Sequence, residues 1–369
     1  MINLIITVDY ELPADGRGDV RRHILQPASD LLTVCNRHGA RLTILAEVGE
    51  FMAMERDGNQ GFRNALDYDP VALAKHQWIE AVRQGHDVQL HLHPQWIHAQ
   101  WNGRHWDLDY AHYQLMDFDQ NQAVEILRQA KGYLEESIAP ATSRYECIGF
   151  RAGHWNTHPP DRYLAALLAA GLQSDTSVFK GGYANTSMVT FDYREAYSHY
   201  RAWRADRRDI NRRSAGRGIL EVPIAAVPAT LWGMLSFKRV WSALSYLQED
   251  RLNRQKIQER RNPAPNGVKT NRLKKWFQTV PKKLDFCKLT VREMRAITRR
   301  IIQDHAGDGE EPVPLVMIGH SKQAGAARAL EKYIDLVKHE FAGAIRFGTY
   351  SEFIRTYEQF EVHSAHYTR

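Results

Sequence analysis

The chain alternates between two hydrophobic periods from end to end, which restricts the folds open to it. Short apolar runs rich in β-branched residues read as strands: "NLIITV" (Asn3–Val8), "ARLTILA" (Ala40–Ala46), "HDVQLHLH" (His86–His93), "CIGFRAG" (Cys147–Gly153), "PLVMIGH" (Pro314–His320) and "AIRFGTY" (Ala344–Tyr350). Between them lie stretches of helical period near residues 28–37, 70–84, 122–137, 160–170, 291–305 and 323–341, the second and fourth stopped by Gly85 and Gly171. Strands and helices that alternate at these lengths predict a parallel α/β architecture with its functional groups at the C-terminal strand ends. No internal repeat and no long low-complexity tract interrupts the pattern.

The first strand ends unusually, in "TVDYELP" (Thr7–Pro13). Burying an ionised carboxylate is costly without a partner, so Asp9 and Glu11 predict a cation nearby. Side chains two apart in a strand share a face, so Asp9 and Glu11 point the same way. The same parity aligns His91 and His93 in "GHDVQLHLHPQW" (Gly85–Trp96), while Leu90 and Leu92 face away. Two carboxylates and two imidazoles at neighbouring strand ends make a four-residue pocket. Three of them could ligate a metal and leave one carboxylate as a base. Such a set suits zinc, with cobalt, nickel or manganese as alternatives. His86 has the opposite parity to His91 and is expected to be structural.

Composition narrows the remaining choices. At 369 residues and 43% hydrophobic, the chain can bury a sizeable core. Cys35, Cys147 and Cys287 are too few and too scattered for a disulfide framework or a cysteine zinc knuckle, and are expected to be free thiols. Serine-hydrolase chemistry fits poorly, because "GHSKQAG" lacks the Gly-x-Ser-x-Gly elbow. No phosphate-binding or dinucleotide glycine motif appears. The first residues show no basic stretch and no cleavage site, and no apolar run nears the ~20 residues that span a bilayer. The expectation is a cytoplasmic protein, with contact at a membrane surface left open.

Charge is uneven. Residues 237–300 hold eighteen Lys and Arg against five Asp and Glu, so the rest of the chain is net negative although the whole is +6. This segment reads as a basic, mainly helical insertion. It is either a solvated excursion or a docking element for an anionic membrane surface or a lipid-linked sugar phosphate. It lacks a nucleic-acid reading motif, so no nucleic-acid partner is expected. Trp96, Trp101 and Trp106 lie five apart beyond the histidine strand, a spacing that favours a loop. They could stack on sugar faces or pack the loop onto the body.

In order along the chain, "TVDYE", "GHDVQLHLHP", "FRAGHW", "LQSDTSV", "LEVPI" and "MIGHS" resemble the motifs of polysaccharide deacetylases, the NodB-homology carbohydrate esterases. The resemblance spans most of the chain outside the basic insertion, and "RFGTYSEFI" is similar to the family's last strand. It implies a distorted (β/α) barrel, in two parts (1–235 and 291–369) around an insertion at 236–290. It also implies a divalent metal and hydrolytic removal of an N- or O-acyl group, acetyl above all, from an amino sugar or glycan intermediate in cell-surface polysaccharide biosynthesis. By motif order, Asp9 resembles the general base, Glu11, His91 and His93 the metal ligands, and Arg151 the arginine that orients the base. His320 resembles the general acid, expected to titrate near neutrality, and Trp155 an aromatic wall of the substrate groove, with Trp96 a further substrate contact. Tyr10 separates the two carboxylates where the family has adjacent aspartates, and the histidines lie two apart rather than four. This re-spacing leaves open which carboxylate is the ligand. It also keeps two alternatives in view: hydrolysis of another small C–N substrate, and a non-catalytic carbohydrate-binding protein on the same fold.

Overall fold

The first strand is apolar on both faces and therefore has to lie in the middle of the structure. A computed structural model describes residues 1–57, 61–62, 65–186, 188–230, 279–305, 311–323 and 325–367. In it, β1 (Ile2–Tyr10) is buried at all nine positions. The other strands of its sheet are β2 (Leu42–Glu47), β3 (Asp87–Leu92), β4 (Gly149–Ala152), β5 (Ser174–Asp175), β6 (Trp203–Arg204), β7 (Leu220–Glu221), β8 (Val313–His320) and β9 (Ile345–Phe347). Their order is β6-β7-β5-β4-β3-β2-β1-β8, with β9 also paired to β1. Every pair is parallel except β6 with β7.

The sheet curls until its ends nearly meet. Three residues beyond β7, Ile224 bridges Val316 of β8, and the Ala225 N–H donates to the Val316 carbonyl at 3.1 Å. Leu284–Phe286 wedges in beside them: Ile318 N–H donates to Leu284 O (2.9 Å) and Phe286 N–H to Ile318 O (3.1 Å). The architecture is thus the expected distorted (β/α) barrel. Its helices are α1 (Gln26–His38), α2 (Val48–Asp57), α3 (Pro70–Arg83), α4 (Gln120–Ile138), α5 (Pro160–Ala169), α6 (Val291–His305), α7 (Ala326–Glu340) and α8 (Tyr350–Tyr367). No helix among the described residues is long and apolar enough to cross a membrane.

Local chemistry sets the helix ends. Asp69 caps α3 by accepting from the N–H groups of Val71 and Ala72, and Pro70 occupies the first turn. Gly85 and Gly171 take the left-handed conformation beyond α3 and α5, as expected from the sequence. One helix is unanticipated, and one expected strand ends early. Residues 48–57 are helical, and "GTYSEFI" is not strand: β9 ends at Phe347 and α8 begins at Tyr350. A capping box explains the switch. Thr349 N–H donates to Glu352 Oε2 at 2.9 Å, and Glu352 N–H donates to Thr349 Oγ1 at 3.2 Å.

Most of the basic insertion expected at 236–290 falls in 231–278, a stretch outside the described residues, and with it the expected docking element. Its flanks, Ala226–Thr230 and Thr279–Lys283, pair as antiparallel arms. Cys35, Cys147 and Cys287 are free thiols, and burial pushes the first two up to about 12.

Two positions yield measurable consequences. Gly319 lies one residue before His320, and a Cβ there would collide with the Phe286 ring of the wedge. Gly319→Ala is expected to cost ~1–3 kcal/mol in chemical denaturation, as overpacking does; a neutral outcome would mean the wedge yields freely. His86 is structural, as its parity suggested. Its Nδ1 accepts from Leu42 N–H (3.1 Å) and its Nε2–H donates to Asn36 Oδ1 (3.0 Å). Burial, helped by Arg41, lowers it from 6.5 to about 4. The unfolded chain therefore binds a proton that the folded chain refuses between pH 6.5 and about 4. Stability is full above that window and falls through it, and in His86→Ala thermal melts should show a shallower fall.

Candidate metal centre

At the C-terminal ends of β1 and β3, strand parity brings four polar side chains together. Asp9 and Glu11 turn into the barrel mouth, while Tyr10 between them turns outward. There the Tyr10 ring packs near Phe51 and Trp78, at 5.8 and 6.0 Å between centroids, and its hydroxyl donates to Gln77 Oε1 at 2.8 Å. This anchor holds the strand end so that its two carboxylates stay inside. Asp9, Glu11, His91 and His93 are all buried.

The two carboxylates have different partners. Asp9 Oδ1 accepts from Arg151 Nη1 at 2.6 Å, and Oδ2 lies 3.5 Å from His320 Nε2. Arg151, itself fully buried, is fixed by Thr7 Oγ1 (3.1 Å), the Thr176 carbonyl (3.0 Å) and Thr176 Oγ1 (3.4 Å). Burial pushes the Asp9 carboxyl up, but Arg151 foremost, with His91 and His320, outweighs it and holds Asp9 below its ordinary value. Glu11 Oε2 faces His93 Nε2 at 2.9 Å and His91 Nε2 at 3.3 Å, and Oε1 accepts from Lys322 Nζ at 2.8 Å. Burial likewise opposes its ionisation, and Lys322 with the two imidazoles holds it well below the usual range.

The donor set fits a divalent cation. His91 Nδ1 lies 2.9 Å from the Arg151 carbonyl, which can only accept, so Nδ1 carries a proton; Nε2, turned to Glu11, is a lone pair in the neutral ring and an N–H donor in the imidazolium. That approach of a ring nitrogen to a carboxylate calls for positive charge there, either a bound cation or the imidazolium proton. His91 shows the same demand: burial disfavours the imidazolium, yet Glu11 and Asp9 outweigh it and raise its pKa. The donor atoms of Glu11, His91 and His93 lie within 4.8 Å of one another, and Asp9, Glu11 and His320 form a second such set. Arg151 already engages Asp9, which makes the first set the better cage.

Several participants carried no signal in the sequence reading. Lys322 follows His320 by two residues and neutralises the far oxygen of Glu11. Glu50, at the start of α2, accepts the Leu12 N–H with both oxygens at 3.0 Å. Glu47, ending β2, accepts from Gly49 N–H at 3.0 Å, while its Oε2 has no hydrogen-bond partner. Burial and neighbouring carboxylates push both Glu47 and Glu50 well above the usual range. His154 Nε2 sits 3.1 Å from His93 Nδ1, and the Tyr113 ring stacks on it at 4.3 Å. His154 and Trp155 both hold positive φ, 55° and 54°, a strained conformation that aims their rings at the site.

Three expectations change here. Trp96 is 1% exposed and packs edge-on to Trp106 at 5.8 Å, so its ring has no free face for a sugar. Trp155 does stand beside His320, 6.5 Å between rings, but Lys283 Nζ covers one of its faces at 3.2 Å from the centroid. Trp155 can therefore offer a ligand at most its edge and its other face. His320 does not titrate near neutrality: burial pushes it to about 4, and the attraction of Asp9 and Glu11 falls short of reversing this. At neutral pH it is an uncharged imidazole.

No family model and no curated protein matches the chain. Among solved structures it is similar to a protein described as a polysaccharide deacetylase from Mycobacterium smegmatis, with 13% identity over 98% of this chain and 91% of that one, at a TM-score of 0.47. It is similar to a 4-alpha-glucanotransferase from Thermococcus litoralis at 11% identity, over 96% of this chain and 40% of that enzyme, with a TM-score of 0.46. An allantoinase matches at 13% identity, over 96% of this chain and 89% of its own, also with a TM-score of 0.46. Three neighbours of three different activities at such distances assign no reaction to this chain.

Proposed function

We propose that the chain is a metal-dependent hydrolase that removes an acyl group, acetyl foremost, from the nitrogen or oxygen of an amino sugar or glycan intermediate. The observation that carries the reading is the division of labour between the carboxylates: Glu11 faces the Nε2 atoms of two imidazoles, and Asp9 beside it is engaged by a buried arginine. Glu11, His91 and His93 would hold the metal, zinc being the best match for this donor set. A divalent ion there supplies Lewis acidity, making water a stronger acid and a carbonyl carbon more electrophilic.

The protein's own groups handle the proton. Arg151 occupies Asp9 Oδ1, which leaves Oδ2 to accept a proton from the attacking water as the new C–O bond forms. His320 Nε2, 3.5 Å from Oδ2, is uncharged and so can take that proton from Asp9. As imidazolium it then donates to the departing nitrogen or oxygen while the C–N or C–O bond breaks. An imidazole held neutral at rest suits a relay better than a pre-charged acid would, since it must first receive what it later gives. Trp155, half-buried beside His320, would border the leaving group with its remaining face.

Two measurements test this reading. Elemental analysis of protein purified without a chelating tag is expected to show a near-stoichiometric divalent metal, lost in His91→Ala/His93→Ala. No metal in either protein after reconstitution would end the hydrolase reading and favour a binding protein. Asp9→Asn is expected to keep the metal but lower acetate release from N-acetylated sugars by ~10²–10⁴-fold, the usual loss of a general base. Undiminished release would remove Asp9 from the chemistry.

A further inference from the structure

Away from the central pocket, the segment after the histidine strand gathers a second set of metal-type donors. Pro94–Trp96 forms a single turn, a short hairpin follows at 100–101 and 106–107, and the chain returns to His112. The Asp109 N–H donates to the Gln95 carbonyl at 3.0 Å, which ties the return to the turn. His98 Nδ1 and His112 Nδ1 both meet the same atom, Asp109 Oδ2, at 2.9 and 2.7 Å. The three donor atoms lie within 4.8 Å of one another. Partial burial raises the Asp109 carboxyl, and the two imidazoles outweigh this and hold it below its ordinary value, so it is a carboxylate.

The rings are positioned in advance. Phe118 stacks on His112 at 4.2 Å and 15°, and meets His98 edge-on at 5.6 Å. Asp109 Oδ1 is already used by the Ala111 N–H at 3.0 Å, which turns Oδ2 toward the imidazoles. The His98 ring is 56% exposed, giving an ion a route in and open positions for water. Two imidazoles and one carboxylate suit zinc and comparable borderline ions and fit calcium or magnesium poorly.

We propose that His98, Asp109 and His112 form a second, surface site for zinc or a similar divalent ion, one that fastens the 94–118 segment beside the central pocket. The fastening has a direct route to that pocket, because Tyr113 of the same segment stacks on His154, which contacts His93. Occupancy would replace two Nδ1–H donations to Asp109 with two lone-pair bonds to the ion, each neutral ring keeping its proton by shifting it from Nδ1 to Nε2. A cluster held by hydrogen bonds alone would show the same spacing but bind no ion.

The test is a calorimetric zinc titration of chelator-stripped full-length protein as wild type, His98→Ala/His112→Ala and His91→Ala/His93→Ala. The site predicts about two equivalents in wild type and about one in each double variant. It also predicts that zinc raises the melting temperature of His91→Ala/His93→Ala, and that adding His98→Ala abolishes the rise. Unchanged zinc uptake in His98→Ala/His112→Ala, or a single equivalent in wild type that this variant keeps, overturns the proposal. If only the surface variant loses an equivalent, the central metal reading fails and this site stands. Asp109→Asn, checked by circular dichroism, guards against a loss of binding that merely reports unfolding.

Discussion

The ion pair between Asp9 and Arg151 is the contact on which the interior depends. A guanidinium and a carboxylate lie 2.6 Å apart, both almost wholly removed from water, where each alone would be severely penalised. Removing either partner leaves an uncompensated buried charge, typically ~3–5 kcal/mol of destabilisation. The arginine also crosses the barrel. From β4 it reaches Thr7 and Asp9 on β1 and the Thr176 backbone just past β5, so one side chain registers three parts of the sheet.

Around that pair the barrel mouth is a problem in charge balance. Asp9, Glu11, Glu47 and Glu50 crowd the ends of β1 and β2, and the structure solves each differently. Asp9 has Arg151, and Glu11 has Lys322 and two imidazoles. Glu47 and Glu50 have backbone donors and little cationic help, and burial drives them toward the neutral acid. The result is one strongly ionised carboxylate facing two imidazoles and one ionised carboxylate between a buried arginine and His320. That asymmetry gives the two carboxylates different surroundings, which the re-spaced motif alone left undivided.

Much of this was readable in advance, for specific physical reasons. Strand parity has a period of two, so Asp9 with Glu11 and His91 with His93 had to share faces once their segments were strands. Gly85, Gly171 and the run at 291–305 mark helix limits because caps and helical period are local. The box Thr349-x-x-Glu352 was equally local and would have shown that α8 begins where a strand was expected. The tryptophan spacing, by contrast, could not distinguish a ring that lines a groove from one that fills the core. Trp96 is buried because the hairpin at 100–107 folds back over it.

The sequence by itself determined the alternating parallel α/β architecture, the pairing of polar residues at strand ends, and the demand for a cation near them, since each follows from period and burial cost. Only the tertiary structure decided which carboxylate takes Arg151 and which the histidines, that Lys283 covers Trp155, and that His320 rests uncharged. Those outcomes turn on contacts between residues tens to hundreds of positions apart, such as Glu11 with Lys322 and Asp9 with Arg151. Local sequence chemistry sets what a side chain can do, but the order of strands around the barrel sets which partner it meets.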